Sequence, residues 1–175
     1  ASVATIDSTA FSRCASLKFV DFENGSKLTS IPNNLFADCI SLEKIKIPAN
    51  VTVINGNAFK SCKSLNTVVF EPGSKLNTIG YNAFYDCINL ESISLPNKIE
   101  YIGEYAFSYC TNFKSITIPN TVTTIGSNAF NGCRGLSSVV LPNSVTSIQE
   151  GAFNSTDLSG IVIPNSVTSI GRSAF

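Results

Sequence analysis

The sequence predicts a β-rich α/β solenoid in which one short unit repeats along the whole chain. The first observation is an isoleucine followed five residues later by a phenylalanine, a pair that recurs eight times in 175 residues. The second is the spacing of successive phenylalanines, 22 to 25 residues, which is typical of arrays of one supersecondary unit. The pairs are Ile6/Phe11, Ile31/Phe36, Ile54/Phe59, Ile79/Phe84, Ile102/Phe107, Ile125/Phe130, Ile148/Phe153 and Ile170/Phe175.

Each repeat contains a segment that predicts a β-strand. A leucine stands six residues after most of the phenylalanines, and apolar residues stand nine and eleven after them, as in Leu42, Ile45 and Ile47. This alternation is what a half-buried strand requires. Proline follows the segment in several repeats and cannot donate a ladder hydrogen bond, so it ends the strand. One strand per repeat of about 23 residues, always in the same direction, predicts a parallel sheet.

Two shorter elements complete the unit. An aliphatic residue three before the repeated isoleucine, as in Val122 and Ile125, predicts a possible second short strand on another side of the coil. The Ala-Phe-x-x-Cys stretch has helical spacing, but it spans about one turn and is too short for an independently stable helix. We expect a short helical or 3₁₀ turn there.

The strand pattern L-x-x-[IV]-x-[ILF] is the signature of leucine-rich repeats. The companion phrase I-G-x-x-A-F-x-x-C, present whole at 79–87, 102–110 and 125–133, resembles the BspA-like subclass, also called the Treponema pallidum type. This resemblance covers essentially the whole chain and implies a right-handed leucine-rich repeat coil. Members of the subclass are found mostly on surfaces of host-associated bacteria and parasitic protists. The resemblance therefore implies an extracellular or cell-surface location, with signal and anchor outside this chain.

The repeats run through residues 1–175, which predicts a single leucine-rich repeat domain of seven repeats and the start of an eighth. The chain stops in the middle of a repeat, at Phe175. We expect a fragment of a longer array, whose open C-terminal end is covered by further repeats or by another chain.

Composition argues against several classes of function. Lys+Arg and Asp+Glu are both 12, so the chain has no net charge that would attract nucleic acid. It also has no run of about 18 apolar residues, so we expect no membrane insertion. The chain has no histidine, which removes the usual base that activates a serine or cysteine nucleophile and the commonest metal ligand. We find no glycine-rich nucleotide loop and no clustered carboxylate pair. The expectation is no enzyme activity, no cofactor and no metal site.

Six cysteines occupy one repeat position, three residues after the phenylalanine. They are Cys14, Cys39, Cys62, Cys87, Cys110 and Cys133. This pattern favours a single file of free, buried thiols. Disulfides between adjacent coils are the alternative, although parallel Cα–Cβ vectors fit their geometry poorly.

Two sets of residues are candidate contact surfaces. All five tyrosines lie between residues 81 and 109, outside the core columns, which are the repeat positions that stay apolar from repeat to repeat. Tyrosine is enriched at binding interfaces. The alternative is that these tyrosines pack over the column of repeated phenylalanines and cover it. Small hydroxyls occupy outward strand positions, where they can hydrogen-bond a partner or simply favour strands. The candidates are Tyr81, Tyr85, Tyr101, Tyr105, Tyr109, Thr67, Ser92, Ser94, Ser115, Thr117 and Ser138.

The predicted function is a non-enzymatic protein-binding scaffold that mediates adhesion or host-protein contacts. Its partner would be a protein or a glycan, and the resemblance points to a host matrix protein. Two alternatives stay open at this point. One is an architectural spacer that presents another module, and the other is an intracellular ligand-sensing repeat domain, which only the free thiols favour.

Overall fold

A computed structural model describes residues 3–175 and has the predicted architecture, a parallel β-solenoid of about seven turns. Each turn contributes up to two short strands. Among the described residues the strands are β1 (Phe19–Val20), β2 (Ser30–Ile31), β3 (Lys44–Ile47), β4 (Val53–Ile54), β5 (Thr67–Phe70), β6 (Thr78–Ile79), β7 (Tyr101–Ile102), β8 (Ser115–Thr117), β9 (Thr124–Ile125), β10 (Ser138–Val140), β11 (Ser147–Ile148) and β12 (Ser169–Ile170). No helix occurs in this part of the chain.

The second, shorter strand forms the longest sheet. Seven parallel strands pair in the order β12-β11-β9-β7-β6-β4-β2, and every pair places a repeated isoleucine beside the next one, such as Ile54 beside Ile79. These isoleucines are buried from Ile31 to Ile148. The repeated isoleucine is therefore one continuous ladder of the core.

The strand predicted from the leucine pattern is less continuous than expected. It forms one sheet of β1, β3 and β5 and another of β8 and β10, while residues 92–95 and 160–163 lie in no strand. Side chains still alternate in the first gap, since Ile93 is buried and Ser92 and Ser94 are exposed. The apolar pattern thus fixes which side chains face the core, but it does not require backbone pairing in every coil.

Consecutive hydrogen-bonded turns replace the expected helical turn around each phenylalanine. In every complete repeat, the residues two before and two after the phenylalanine have positive φ, for example Asn82 (53°) and Asp86 (59°). A left-handed residue at each of these positions prevents a continuous right-handed helix. The same backbone directs alternate N–H groups to the next coil, as when Phe84 donates to the carbonyl of Ala106 at 2.8 Å.

The core contains two further ladders. The phenylalanine rings from Phe11 to Phe175 stack coil on coil, with centroids 5.1–5.7 Å apart. Five of the cysteines are buried in single file, as predicted, and all six are free. Each buried thiol donates to the phenylalanine carbonyl of the preceding coil, as Cys87 does to Phe59 at 3.1 Å. The thiol is therefore a small apolar filler that also satisfies a backbone acceptor.

Candidate interaction surface

Four of the five tyrosines meet along the turns of two adjacent coils. Tyr81 and Tyr85 flank Phe84, and Tyr105 and Tyr109 flank Phe107 in the next coil. Tyr101 lies on β7, in register with threonines of both neighbouring strands. We call the surface of Tyr81, Tyr85, Tyr105 and Tyr109 the tyrosine edge.

The tyrosine edge consists of two edge-to-face pairs. The rings of Tyr81 and Tyr105 lie 6.0 Å apart at 86°, and those of Tyr85 and Tyr109 lie 5.5 Å apart at 70°. This arrangement is one that aromatic quadrupoles favour. Tyr81 is 50% exposed and Tyr109 is 42% exposed. The pairs thus hold each other in place and still present ring surface to solvent.

Two of these tyrosines have a backbone conformation that is unfavourable for an aromatic residue. Tyr105 has φ 54° and Tyr109 has φ 60°, in the left-handed region that costs an ordinary L-residue roughly 1–2 kcal/mol. Other repeats place mostly small or polar residues in these two columns, and Tyr105 and Tyr109 are the aromatic exceptions. The other occupants are Thr9, Arg13, Asn34, Asp38, Asn57, Ser61, Asn82, Asp86, Asn128, Gly132, Gly151, Ser155 and Ser173.

Gly132 accommodates the ring of Tyr109. A Cβ on Gly132 would lie 2.8 Å from Cδ1 of Tyr109, and the glycine itself has φ 73°. Any larger residue would therefore both clash with the ring and strain the backbone. The ring of Tyr109 consequently packs against the backbone of the next coil.

A lysine lies beside one tyrosine of the tyrosine edge. Nζ of Lys60 lies 5.7 Å from the ring centroid of Tyr85, within the range of a cation–π contact. Burial raises the pKa of the Tyr85 phenol, with a further contribution from Tyr109. Tyr85 is therefore a neutral hydrogen-bonding group at physiological pH.

A depression of about 340 Å³ opens between Lys60, Tyr81, Asn82, Tyr85 and Tyr105. Asn82 is only 7% exposed. Its Nδ2 donates to Oδ1 of Asn57 at 3.2 Å, whereas its own Oδ1 has no hydrogen-bond partner among the residues that the structure describes. The depression thus combines aromatic walls with one cation, while the unpaired oxygen of Asn82 is buried beneath its surface.

The hydroxyl candidates lie on a different side of the coil. Thr67 is on β5, Ser115 and Thr117 are on β8, and Ser138 is on β10. The hydroxyl of Thr67 already donates to Asn66 at 2.6 Å. Ser92 and Ser94 border a depression of about 280 Å³ where the strands are interrupted. These side chains share one face, but the break divides it.

The sequence did not single out two features of these surfaces. One is Asn82, whose burial depends on the adjacent coil. The other is the exposed ring of Phe19, 61% accessible, with Nζ of Lys44 at 5.8 Å from its centroid. The bulk and charge of Phe19 and Lys44 at outward strand positions were the available signal, because most other coils carry small residues there.

The structure offers little for catalysis within the part of the chain it describes. Burial raises the pKa of Cys39 to about 11 and that of Cys133 to about 12, so neither is a nucleophilic thiolate at neutral pH. The described residues include no group of three His, Cys, Asp or Glu side chains that could hold a metal ion. They also include no helix long and apolar enough to cross a membrane.

Known proteins share both the repeat and the fold. A family model described as "BspA type Leucine rich repeat region" matches residues 1–114 and 77–175 in six copies. A leucine-rich cell surface protein from Faecalibacterium prausnitzii is 34% identical, with TM-score 0.80 over 90% of this chain and 44% of that protein. The leucine-rich repeat protein of T. pallidum is 32% identical, with TM-score 0.79 over 85% of this chain and 69% of that protein.

A leucine-rich repeat protein from Bacteroides ovatus is 30% identical, with TM-score 0.65 over 87% of this chain and 45% of that protein. The chain thus spans less than half of the F. prausnitzii and B. ovatus proteins. No curated protein matches it.

Proposed function

The chain belongs to the BspA-type leucine-rich repeat proteins, and we propose that it is a non-enzymatic protein-binding scaffold at the cell surface that mediates adhesion or contacts with host proteins. The F. prausnitzii relative, described as a cell surface protein, supports the location. A solenoid also suits this role, because its core columns hold the coils together while the remaining columns are free to vary.

The observation that carries the proposal is the placement of Tyr105 and Tyr109 in left-handed conformations. Asparagine or glycine at these positions would give the turn at lower conformational cost. Backbone strain that stability does not explain clusters at functional sites. We therefore place the principal contact surface at the tyrosine edge.

Tyrosine suits this role for two physical reasons. Each ring offers a large contact area and few rotors, so ordering it on binding costs little entropy. The edge-to-face pairs and the contact of Tyr109 with Gly132 hold the rings before a partner arrives. Such preorganised aromatic anchors commonly dominate the binding energy of an interface.

The test compares the tyrosine edge with the hydroxyl face, the surface formed by Thr67, Ser92, Ser94, Ser115, Thr117 and Ser138. Purified extracellular matrix proteins are immobilised, and binding of the chain is measured by biosensor. The double variant Tyr85→Ser/Tyr105→Asn should weaken binding at least tenfold, which is about 1.4 kcal/mol. The asparagine matches the residue that most other repeats carry in this column, so folding should be retained.

Two controls locate the effect. Tyr101→Thr removes a tyrosine outside the pairs and restores the threonine found in both adjacent strands, and Ser115→Ala/Thr117→Ala alters the hydroxyl face. Both should bind within about twofold of the parent chain, since neither touches a hot spot. Unchanged binding by the tyrosine double variant would move the contact elsewhere. Binding to none of the matrix proteins would favour the architectural spacer instead.

A further inference from the structure

The hydroxyl groups of the tyrosine edge have no partner within the described residues and are open to solvent. No hydrogen bond in this part of the chain involves any of its phenol oxygens. The buried side-chain polar atoms that lack a partner there belong only to Asn82 and Ser166. The phenol oxygens of Tyr85 and Tyr105 therefore reach the surface, although both side chains are half-buried. The edge thus offers several free hydrogen-bond donors.

The backbone of the tyrosine edge is already used to join the coils. The N–H groups of Tyr105 and Tyr109 donate to the next coil, at 3.0 and 2.8 Å. The carbonyls of Tyr81 and Tyr85 accept from the preceding coil, at 2.8 and 2.7 Å. A partner that binds by adding a β-strand needs free backbone groups, so it does not suit this edge. Recognition here comes from ring faces and phenol hydroxyls.

The depression between the tyrosines does not favour an ion. Its only ionised lining residue is Lys60, whose ammonium lies over the ring of Tyr85, so an anion would have to displace this contact. Asp86, on the same turn as Tyr85, pairs with Lys63 at 3.7 Å. Burial raises the pKa of the Tyr85 phenol, which keeps it a donor. A neutral group that carries hydrogen-bond acceptors therefore suits this surface better than a charged one.

The size and walls of the depression favour small saturated rings. Its volume of about 340 Å³ is at the lower end for ligand pockets, roughly 300–1,000 Å³, and an α-helix about 10–12 Å across does not enter it. Tyr81 and Tyr105 stand at 86° to each other, and a ring face attracts the C–H groups of a saturated ring. Proline supplies such a ring and has no backbone N–H, so a proline-rich backbone presents carbonyl acceptors alone.

From these features we propose that the tyrosine edge binds a proline-rich segment of a protein partner in the polyproline II conformation. Prolines pack on the exposed rings of Tyr81 and Tyr109, and neighbouring carbonyls accept hydrogen bonds from the phenol hydroxyls. The polyproline II helix has no internal hydrogen bonds, so its carbonyls are free, and it is formed before binding, so ordering it costs little entropy. This inference rests on the proposed function for the location of the contact, and it narrows the partner by its chemistry.

The test uses decaproline and a glycine–serine peptide of the same length as probes. Neither peptide contains tyrosine, and all five tyrosines of the chain lie between residues 81 and 109, so tyrosine fluorescence reports binding. The parent chain should bind decaproline at least about tenfold more tightly than the glycine–serine peptide. Equal affinity for the two peptides would overturn the proposal. Tighter binding of a neutral oligosaccharide, such as maltohexaose, would overturn it too and assign the edge to glycans.

A matched pair of variants tests the phenol donors. Tyr81→Phe/Tyr109→Phe removes two hydroxyls and keeps both rings, so the aromatic pairs and the turns are retained. It should weaken decaproline binding roughly tenfold, the loss expected of two hydrogen bonds. Tyr101→Phe removes a hydroxyl outside the tyrosine edge and should leave the affinity within about twofold of the parent chain. Unchanged affinity in the double variant, or equal losses in the two variants, would overturn the proposal.

Failure here is distinguishable from failure of the proposed function. If decaproline does not bind but Tyr85→Ser/Tyr105→Asn still loses a matrix protein, the contact surface stands and the proline-rich partner is wrong. If decaproline binds through the phenol hydroxyls but no matrix protein binds, the peptide specificity stands and the matrix partner is wrong. Where both bind, saturating decaproline should compete with the matrix protein, and absence of competition would contradict a shared site.

Discussion

Replacing Phe107 with alanine should test whether the stacked phenylalanines hold adjacent coils together. Its ring is fully buried and lies 5.3 Å from Phe84, 5.4 Å from Phe130 and 5.6 Å from Phe113. Deleting a buried phenylalanine side chain typically costs about 3–5 kcal/mol. Aromatic pairs add roughly 0.5–1.5 kcal/mol beyond their buried area. Because the lost aromatic contacts are part of the measured cost of such substitutions, we expect Phe107→Ala to lower the free energy of unfolding by about 3–5 kcal/mol.

The chain provides two spectroscopic readouts of this change. It contains no tryptophan, and its five tyrosines all lie between residues 81 and 109, so tyrosine fluorescence reports on the coils around Phe107. Far-ultraviolet circular dichroism reports on the whole array. Urea unfolding monitored by both should give one transition in the parent chain. In the variant the fluorescence transition should occur first, because each coil depends on its immediate neighbours.

A matched substitution separates burial from the loss of any phenylalanine. Phe19 is 61% exposed on its strand, and Phe19→Ala should cost less than about 1 kcal/mol. A cost below about 1 kcal/mol for Phe107→Ala, or equal costs for the two variants, would refute the view that stacked rings stabilise the coils.

Two further predictions concern titratable groups. Alkylation of the native protein should modify Cys14 alone, because the other five thiols are buried and burial raises their pKa values. Unfolding without reductant should then make all six thiols available for alkylation. An intact mass lower by two hydrogens per cysteine pair would instead indicate disulfides. The hydrogen bond from the Ala49 N–H, and after it the charge of Lys46, lowers the pKa of Glu71. The stability that the Glu71 carboxylate contributes to the fold is therefore present above the unfolded pKa of about 4.3, and it is lost as pH falls through the folded pKa. Urea titrations at pH 5 and 3 should show a smaller loss of stability in Glu71→Gln than in the parent chain, and equal losses would contradict this.

The sequence was sufficient to predict the fold because its period places equivalent residues on adjacent coils. Isoleucine, phenylalanine and cysteine recur at constant offsets, and each forms a buried ladder. The interruption at residues 92–95 was not predictable, because Ile93 and Ser94 alternate like their counterparts in β3 and β8. Backbone pairing there depends on small differences in coil geometry that no side-chain pattern records.

The difference between the expected helical turns and the observed turns has an identifiable reason. The spacing of alanine, phenylalanine and cysteine resembles a helical face and so predicts a helical turn. The columns two before and two after the phenylalanine contained a second signal, since Asn34, Asn57 and Asn82 share one of them and asparagine tolerates positive φ. Glycine in the same columns, at Gly132 and Gly151, strengthens it. The residue types that recur at one repeat position therefore predict this turn better than the spacing of the apolar residues does.

The proximity of the tyrosines followed from their positions in adjacent repeats, but their pairing did not. Tyr81 contacts Tyr105 and Tyr85 contacts Tyr109, so each pair joins positions that differ by one column. The unpaired oxygen of Asn82 was equally inaccessible to sequence reasoning, because it depends on how neighbouring amides are oriented.

The same turn explains how the recognition that we propose for this solenoid stays separate from its stability. Around Phe107, the backbone N–H of the phenylalanine bonds the next coil at Ala129, and its ring stacks in the core. The left-handed residues on either side, Tyr105 and Tyr109, instead present their rings on the surface. Since their N–H groups bond the next coil whatever the side chain, these two columns can acquire binding residues at the cost of local strain and, for Tyr109, of a glycine in the next coil. A search for contact sites in this family should therefore begin with large side chains in the two left-handed columns.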